Sequence, residues 1–228
     1  MILSHHRAFI FLRTQKTAST SIAIGLSEFC GPSDIVTPLR MEDEAVRTEL
    51  GFTGPQNHVV PLSAYGLRDW AKLALRHHRL HYMHHMAAAD VSRLVGRRVW
   101  DGYFKFAVER NPWDKVVSAY HWRNRDVPEP WLTFSEWLRS PEGHVAAFET
   151  YSIDGRVAVD RVLRFEDLDA ELREVATRLG LPHPIHLPRT KVRPAVHRRP
   201  YRELIGDEDR ELIARRYARE IALMGYEF

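Results

Sequence analysis

The 228-residue sequence contains one cysteine, no long apolar run and almost no surplus of either charge sign. With Cys30 alone there can be no internal disulfide, and nothing points to a Cys-based zinc or iron-sulfur site, which fits a reducing compartment. The apolar stretch from Ala8 to Leu12 falls far short of a signal-peptide core, and no later stretch reaches the roughly 20 residues that span a bilayer. The expectation is a cytoplasmic protein with neither a membrane anchor nor a membrane partner. Thirty-three Lys and Arg against thirty Asp and Glu leave a formal charge of +3, too little for a dedicated nucleic-acid binder unless it is concentrated. Internal repeats and low-complexity tracts are missing too.

What is present is ordinary for a folded enzyme-sized domain: 44% hydrophobic and 28% charged residues, read as a single domain over 1–228. Histidine is the exception, with thirteen in the chain and five between His77 and His85. Ala8 to Leu12 reads as a buried strand, and Ile22, Leu26 and Phe29 recur at helical spacing until Gly31-Pro32. A strand, a polar turn and a helix in that order open a parallel α/β sheet, in which ligands bind at the carboxyl ends of the strands. A second unit follows, with Phe104, Phe106 and Val108 alternating as a strand and Trp113, Val117 and Tyr120 marking a helix. Asn111 is a favoured N-cap, Pro112 suits the first helical position, and Asp114 opposes the dipole. Arg161 to Phe165 and the face Leu168, Leu172, Val175 and Leu179, closed by Gly180, form a third unit. Thr133 and Glu136 form a capping box, and Ile213, Tyr217, Ile221 and Met224 line one C-terminal helix ended by Gly225.

Residues 31 to 80 are hard to read until an amphipathic helix from Leu67 to about Leu80. Arg68, Lys72, Arg76 and Arg79 gather on one side of it and Trp70, Leu73 and Ala74 on another. That basic side is either a solvated face or a clamp for an anionic acceptor.

The turn after the first strand reads Arg13-Thr14-Gln15-Lys16-Thr17-Ala18-Ser19-Thr20-Ser21. Small hydroxyl residues and a Lys at a helix N-terminus favour a phosphate there, through backbone N–H groups, the helix dipole and one full charge. An ATP- or GTP-binding P-loop needs Gly-x-x-x-x-Gly-Lys-Ser/Thr, and here no glycine flanks Lys16, which also comes too early.

The second junction reads Glu109-Arg110-Asn111-Pro112-Trp113-Asp114-Lys115-Val116-Val117-Ser118-Ala119-Tyr120. Taken with Lys16-Thr17-x-x-Thr20-Ser21, this resembles the sulfotransferases that use PAPS (3′-phosphoadenosine 5′-phosphosulfate), particularly their bacterial and carbohydrate branch. Arg164-Phe165-Glu166-Asp167-Leu168 and the tail from Tyr217 to Phe228 are similar to that family as well, so the likeness runs over most of the chain. It implies a three-layer α/β fold like that of P-loop NTPases, with a central, mainly parallel sheet flanked by helices. It also implies that Lys16, Thr17, Ala18, Ser19, Thr20 and Ser21 hold the 5′-phosphosulfate, and that Arg110 and Ser118 hold the 3′-phosphate. Arg110 offers a planar fork for that phosphate, and Ser118 lies two helical turns past Asn111. Gln15 departs from the family's frequent Pro, and Ala18-Ser19 from a frequent Gly pair.

Sulfuryl transfer needs charge stabilisation at the leaving oxygen, the role expected of Lys16, and a base. His85 is the candidate base, since His85-Met86-Ala87-Ala88 is similar to a His-x-x-Ala element of the family and precedes a short helix with Val91, Leu94 and Val95; His84 is its rival. His81 and His85 are four apart, a metal-binding spacing on a helix, but no Glu accompanies them and the family needs no metal for transfer. Arg123, Arg125, Lys191 and Arg193 are further cations able to reach acceptor or nucleotide. The reading is a sulfotransferase with PAPS as donor, PAP (adenosine 3′,5′-bisphosphate) as product and no nucleic-acid partner. Its acceptor is a carbohydrate, an anionic glycan included, or a small metabolite carrying a hydroxyl or amine. The alternatives are a P-loop-type kinase and a non-catalytic polyanion-binding module.

Overall fold

The computed structural model describes residues 1–145, 148–188 and 200–228, with Arg76 as backbone only. In chain order the elements are β1 (Ile2–Ser4), β2 (Phe9–Phe11), α1 (Ser19–Ser27), β3 (Ile35–Val36), α2 (Met41–Glu49), α3 (Leu67–Arg76), α4 (Ala88–Val95), α5 (Arg97–Gly102), β4 (Phe104–Glu109) and α6 (Pro112–Asn124). There follow α7 (Phe134–Arg139), α8 (Phe148–Tyr151), the ribbon β5 (Ser152–Ile153) and β6 (Arg156–Val157), β7 (Arg161–Arg164), α9 (Leu168–Arg178), α10 (Tyr201–Leu204), α11 (Asp207–Arg216) and α12 (Ala218–Met224).

The main sheet has the order β3-β1-β2-β4-β7. β2 pairs in parallel with β4, β4 in parallel with β7, and β1 is antiparallel to both its neighbours. All its strands except β1 therefore run the same way. Both faces of the sheet are covered, and β2 accordingly is apolar throughout. Leu3, Ile10 and Ala107 pack under α4, α5 and α8 on one face, while Ile2, Phe9, Phe11, Phe106 and Val108 pack under α1 and α9 on the other. A third cluster gathers α6, α7, α11 and the tail around Trp113, Tyr120, Trp137 and Tyr217. Among the described residues no helix is long and apolar enough to cross a membrane.

All three expected strand-helix units are present as β2-α1, β4-α6 and β7-α9. Asn111 caps α6 by accepting from the Trp113 N–H, and both halves of the Thr133/Glu136 capping box form. Three local expectations need correction. The chain opens with β1, whose hairpin to β2 carries no Gly or Pro turn signal; Asp34 holds it instead, accepting from Ser4 Oγ at 2.7 Å and from the His5 N–H at 2.6 Å. The helix expected to reach Leu80 stops at Arg76, because His77 turns left-handed (φ 52°) and the following residues pair back, with Leu80 O accepting from Val60 N–H. The single C-terminal helix is two, α11 and α12, broken at Tyr217 (φ −112°, ψ 27°), where the hydroxyl accepts from the buried Val145 N–H and the ring lies under Lys115 Nζ.

Candidate active site

Arg13 leaves β2, Arg110 leaves β4 and Phe165 leaves β7, so three carboxyl ends open on one place. There lies a cavity of about 840 Å³ that includes Arg13, Lys16, Thr20, His85, Arg110 and Ser118 among its walls. Ala18, Ser19 and Ser21 also line it. A second cavity, about 770 Å³ between Tyr65, Tyr82 and Val99, is lined by none of the motif residues.

The anion turn is wound tightly. Lys16 and Ala18 both sit in the left-handed region, at φ 61° and 56°. Ala18 is the N-cap of α1 and offers no side-chain acceptor, and the first turn of the helix holds no carboxylate, so the positive end of the dipole is answered by neither. Thr17 departs from the expected arrangement, because it is fully buried and its hydroxyl lies 2.8 Å from Thr14 Oγ1 instead of facing the cavity. Thr14 in turn donates to the Val108 carbonyl, which fastens the turn to β4. A left-handed L-residue costs about 1–2 kcal/mol, which glycine avoids while its larger unfolded-chain entropy offsets part of the gain. Ala18→Gly is therefore expected to add about 0.5–1 kcal/mol of stability, read as a rise in Tm of about 1–4 °C. An unchanged or lower Tm would show that the turn is unstrained.

Arg110 joins the two motifs. Its Nη1 donates to the Lys16 carbonyl at 3.1 Å, while Nε and Nη2 donate to Asp114 Oδ2 at 2.8 and 2.6 Å. The guanidinium lies over the Phe165 ring, 4.3 Å from its centroid. Ser118 and Trp122 follow on α6 one turn apart. Lys16 Nζ stands 4.5 Å from the Trp122 ring centroid, and Arg40 and Arg125 approach the same ring. Glu166, from the third motif, accepts from the Asn111 N–H at 2.7 Å and from Tyr226 Oη at 3.0 Å. Its part is to tie the second motif to the tail.

His85 Nδ1 lies 2.7 Å from the Arg13 carbonyl. A carbonyl only accepts, so Nδ1 carries the proton and Nε2 keeps its lone pair. The ring is open on the cavity side, yet the surrounding protein lowers its pKa to about 4. Desolvation is the largest cause; the bond to the Arg13 carbonyl works against it, and the charge of Arg13 adds to the lowering. His84 lines the cavity too, with its ring edge-on to His85. His81 is not on a helix with His85 but in a bridge to Val59, so the four-residue metal spacing does not arise. Burial pushes the Cys30 thiol up to about 12, which removes it as a nucleophile.

The remaining cations divide. Arg123 is paired with Glu142 at 2.7 Å, and Arg125 with Asp126 at 2.6 Å while lying on Trp122. Arg68, Lys72 and Arg79 are exposed and none of them lines the cavity. Lys191, Arg193 and the side chain of Arg76 lie outside the described residues. The sequence reading missed Arg13, Arg40, Asp43 and Trp122 as cavity residues. Trp122 had a signal, since it stands four residues past Ser118 on one helix; Arg40 and Asp43 come from a segment without a motif.

Comparison with known proteins gives three findings. A family model described as "Sulfotransferase family" matches residues 1–227. A curated protein of Archaeoglobus fulgidus, described as uncharacterized, is 36% identical over 101 residues, which is 42% of this chain and 84% of that protein. The crystal structure of a sulfotransferase from Alicyclobacillus acidocaldarius is 20% identical and aligns over 97% of this chain and 96% of its own, with a TM-score of 0.45.

Proposed function

The chain belongs to the sulfotransferase family, and from that premise we propose that it moves a sulfuryl group from PAPS to a hydroxyl or amine of an acceptor, with His85 as base. The observation that carries this reading is the 3.1 Å bond from Arg110 to the Lys16 carbonyl, which makes the anion turn and the Arg-Asn-Pro junction walls of one cavity. One wall has hydroxyls and a lysine at a helix N-terminus, suited to the 5′ end of the donor. The other has an arginine and, on α6, Ser118, suited to the 3′-phosphate that separates PAPS from ATP.

Bond changes follow from those positions. The acceptor oxygen or nitrogen attacks sulfur, the bond from sulfur to the 5′-phosphate oxygen breaks, and its electron pair stays on that oxygen. Lys16 and the N–H groups of the turn stabilise the charge that develops there. His85 Nε2 takes the acceptor proton, and its Nδ1–H bond to the Arg13 carbonyl holds the required tautomer. Desolvation by the surrounding protein, which lowers the pKa of His85, favours the neutral imidazole this step needs. Trp122 and Arg40 line the same cavity and are the nearest candidates for contact with the acceptor.

The test is thermal shift with PAP, ADP and ATP. At 100 times its Kd a ligand adds about 2.7 kcal/mol of stability, and PAP is expected to raise Tm well above either rival. Equal shifts for PAP and ADP would remove the reading.

A further inference from the structure

Arg13 is not explained by anion binding at the cavity surface. Only 4% of it is exposed, and neither its Nε nor its Nη1 has a hydrogen-bond partner. Asp43 and Glu44 attract the guanidinium without accepting from those two nitrogens, and the neighbouring Arg47 repels it. An under-partnered buried cation is costly to fold around. A neutral side chain of similar length would fill the same space, so the charge itself calls for an explanation.

Two bonds suggest what the charge does. Arg13 Nη2 donates to Thr20 Oγ1 at 3.1 Å, and the Arg13 carbonyl accepts from His85 Nδ1 at 2.7 Å. Thr20 is on the anion turn and His85 is the proposed base, so Arg13 touches both halves of the reaction without facing the cavity through its free nitrogens. We infer that Arg13 is a positioning residue for sulfuryl transfer: its guanidinium sits behind the anion turn, orients the Thr20 hydroxyl toward the phosphosulfate and acts as a fixed positive charge beside His85. A hydroxyl that accepts from a cation becomes a stronger donor, and the same charge opposes a proton on the neighbouring ring. The inference rests on the sulfotransferase reading and names a residue that reading does not need.

The charged and titratable groups that act on His85 are Arg13 at the end of β2, His84 on its own segment and the amine of Met1 at the head of β1. Of these only Arg13 also contacts the anion turn, so replacing it separates the proposal from a general loss of charge. The experiment uses the full chain without nucleotide and follows the His85 ring by NMR titration in wild type, Arg13→Gln and Arg13→Lys. PAP affinity is measured on the same samples. In Arg13→Gln the His85 midpoint is expected to rise by about half a pH unit or more. PAP affinity should fall about tenfold, with no lowering of Tm. Arg13→Lys keeps the charge and should leave His85 where it is in wild type.

An Arg13→Gln protein that binds PAP like wild type with His85 unmoved overturns the proposal, and a lower Tm beside those results marks Arg13 as merely structural. Should Arg13→Gln fail to fold, Thr20→Val removes the acceptor of Nη2; PAP affinity should then drop about tenfold while His85 titrates as before. Unchanged PAP affinity in Thr20→Val overturns the proposal equally. A wild-type protein with no preference for PAP over ADP sinks the sulfotransferase reading and this inference together, whereas a PAP-selective wild type with an indifferent Arg13→Gln sinks this inference alone.

Discussion

His85→Gln is expected to lower transfer of labelled sulfate from PAPS by about 10²–10⁴-fold while leaving PAP affinity within about threefold, the range typical of removing a positioned general base. Glutamine keeps the size of the ring and can still donate to the Arg13 carbonyl, but it has no lone pair basic enough to take the acceptor proton. The measurement pairs single-turnover transfer with PAP titration, so that a defect in chemistry is separated from one in binding. The pH behaviour has a defined sign. His85 titrates at about 4 in the folded chain against an ordinary 6.5, so unfolding takes up a proton between those values. Its contribution to stability is present above pH 6.5 and fades as pH falls toward 4. The difference in Tm between wild type and His85→Gln should therefore shift against wild type in acid. Full turnover in His85→Gln would pass the role of base to His84.

Glu109→Ala is expected to destabilise the fold by about 3–5 kcal/mol, the cost of leaving a buried charge without its partner. Glu109 and Lys115 have fully buried side chains and meet at 2.7 Å. The same carboxylate accepts from the Arg110 N–H at 2.9 Å and from Tyr151 Oη at 2.9 Å, and the Glu109 carbonyl accepts from Tyr226 Oη at 3.1 Å. Removing it strands Lys115, Tyr151 and the backbone of Arg110 at once. At roughly 2–4 °C per kcal/mol for a chain of this size, Tm should fall by about 6–20 °C. The double replacement Glu109→Leu with Lys115→Met should lose much less, because the ion pair is removed whole and only Glu220 loses a nearby cation. A double variant as unstable as the single would show that packing, not the ion pair, holds the junction.

This network shows why the second motif was so legible. Asn111 and Pro112 start a helix for local reasons, and those reasons survive in the folded chain. Lys16 and Arg110 follow strand ends, which converge in a parallel sheet, and Ser118 lies two turns into α6; all three line the one cavity. Other features depend on partners far away in sequence. The β1-β2 hairpin is held by Asp34, some thirty residues on, and its own turn carries no signature. Helix α3 stops early because its tail pairs with residues near Val60, and the C-terminal helix breaks because Tyr217 is drawn toward Val145 and Lys115. Thr17 matched its motif, yet its side chain is buried against Thr14, whose hydroxyl ties the turn to β4.

The same distinction separates the two basic groups. Helical spacing alone could gather Arg68, Lys72 and Arg79, but it could not say where α3 would stand, and those residues lie away from the cavity. Arg40 and Trp122 reach it from separate elements and meet there, with 5.3 Å between the guanidinium carbon and the ring centroid. Arg40 stands at the head of α2 in a segment without a motif, whereas Trp122 lies one helical turn past Ser118 on α6.

Calorimetric titration of PAP and of adenosine 5′-monophosphate into wild type and Arg110→Ala puts the two-ended grip on a single nucleotide to its most direct trial. In wild type the additional 3′-phosphate should tighten binding at least about tenfold, or about 1.4 kcal/mol, and in Arg110→Ala that gain should disappear while the monophosphate binds as before. An undiminished gain in the variant, or none in wild type, would contradict the account.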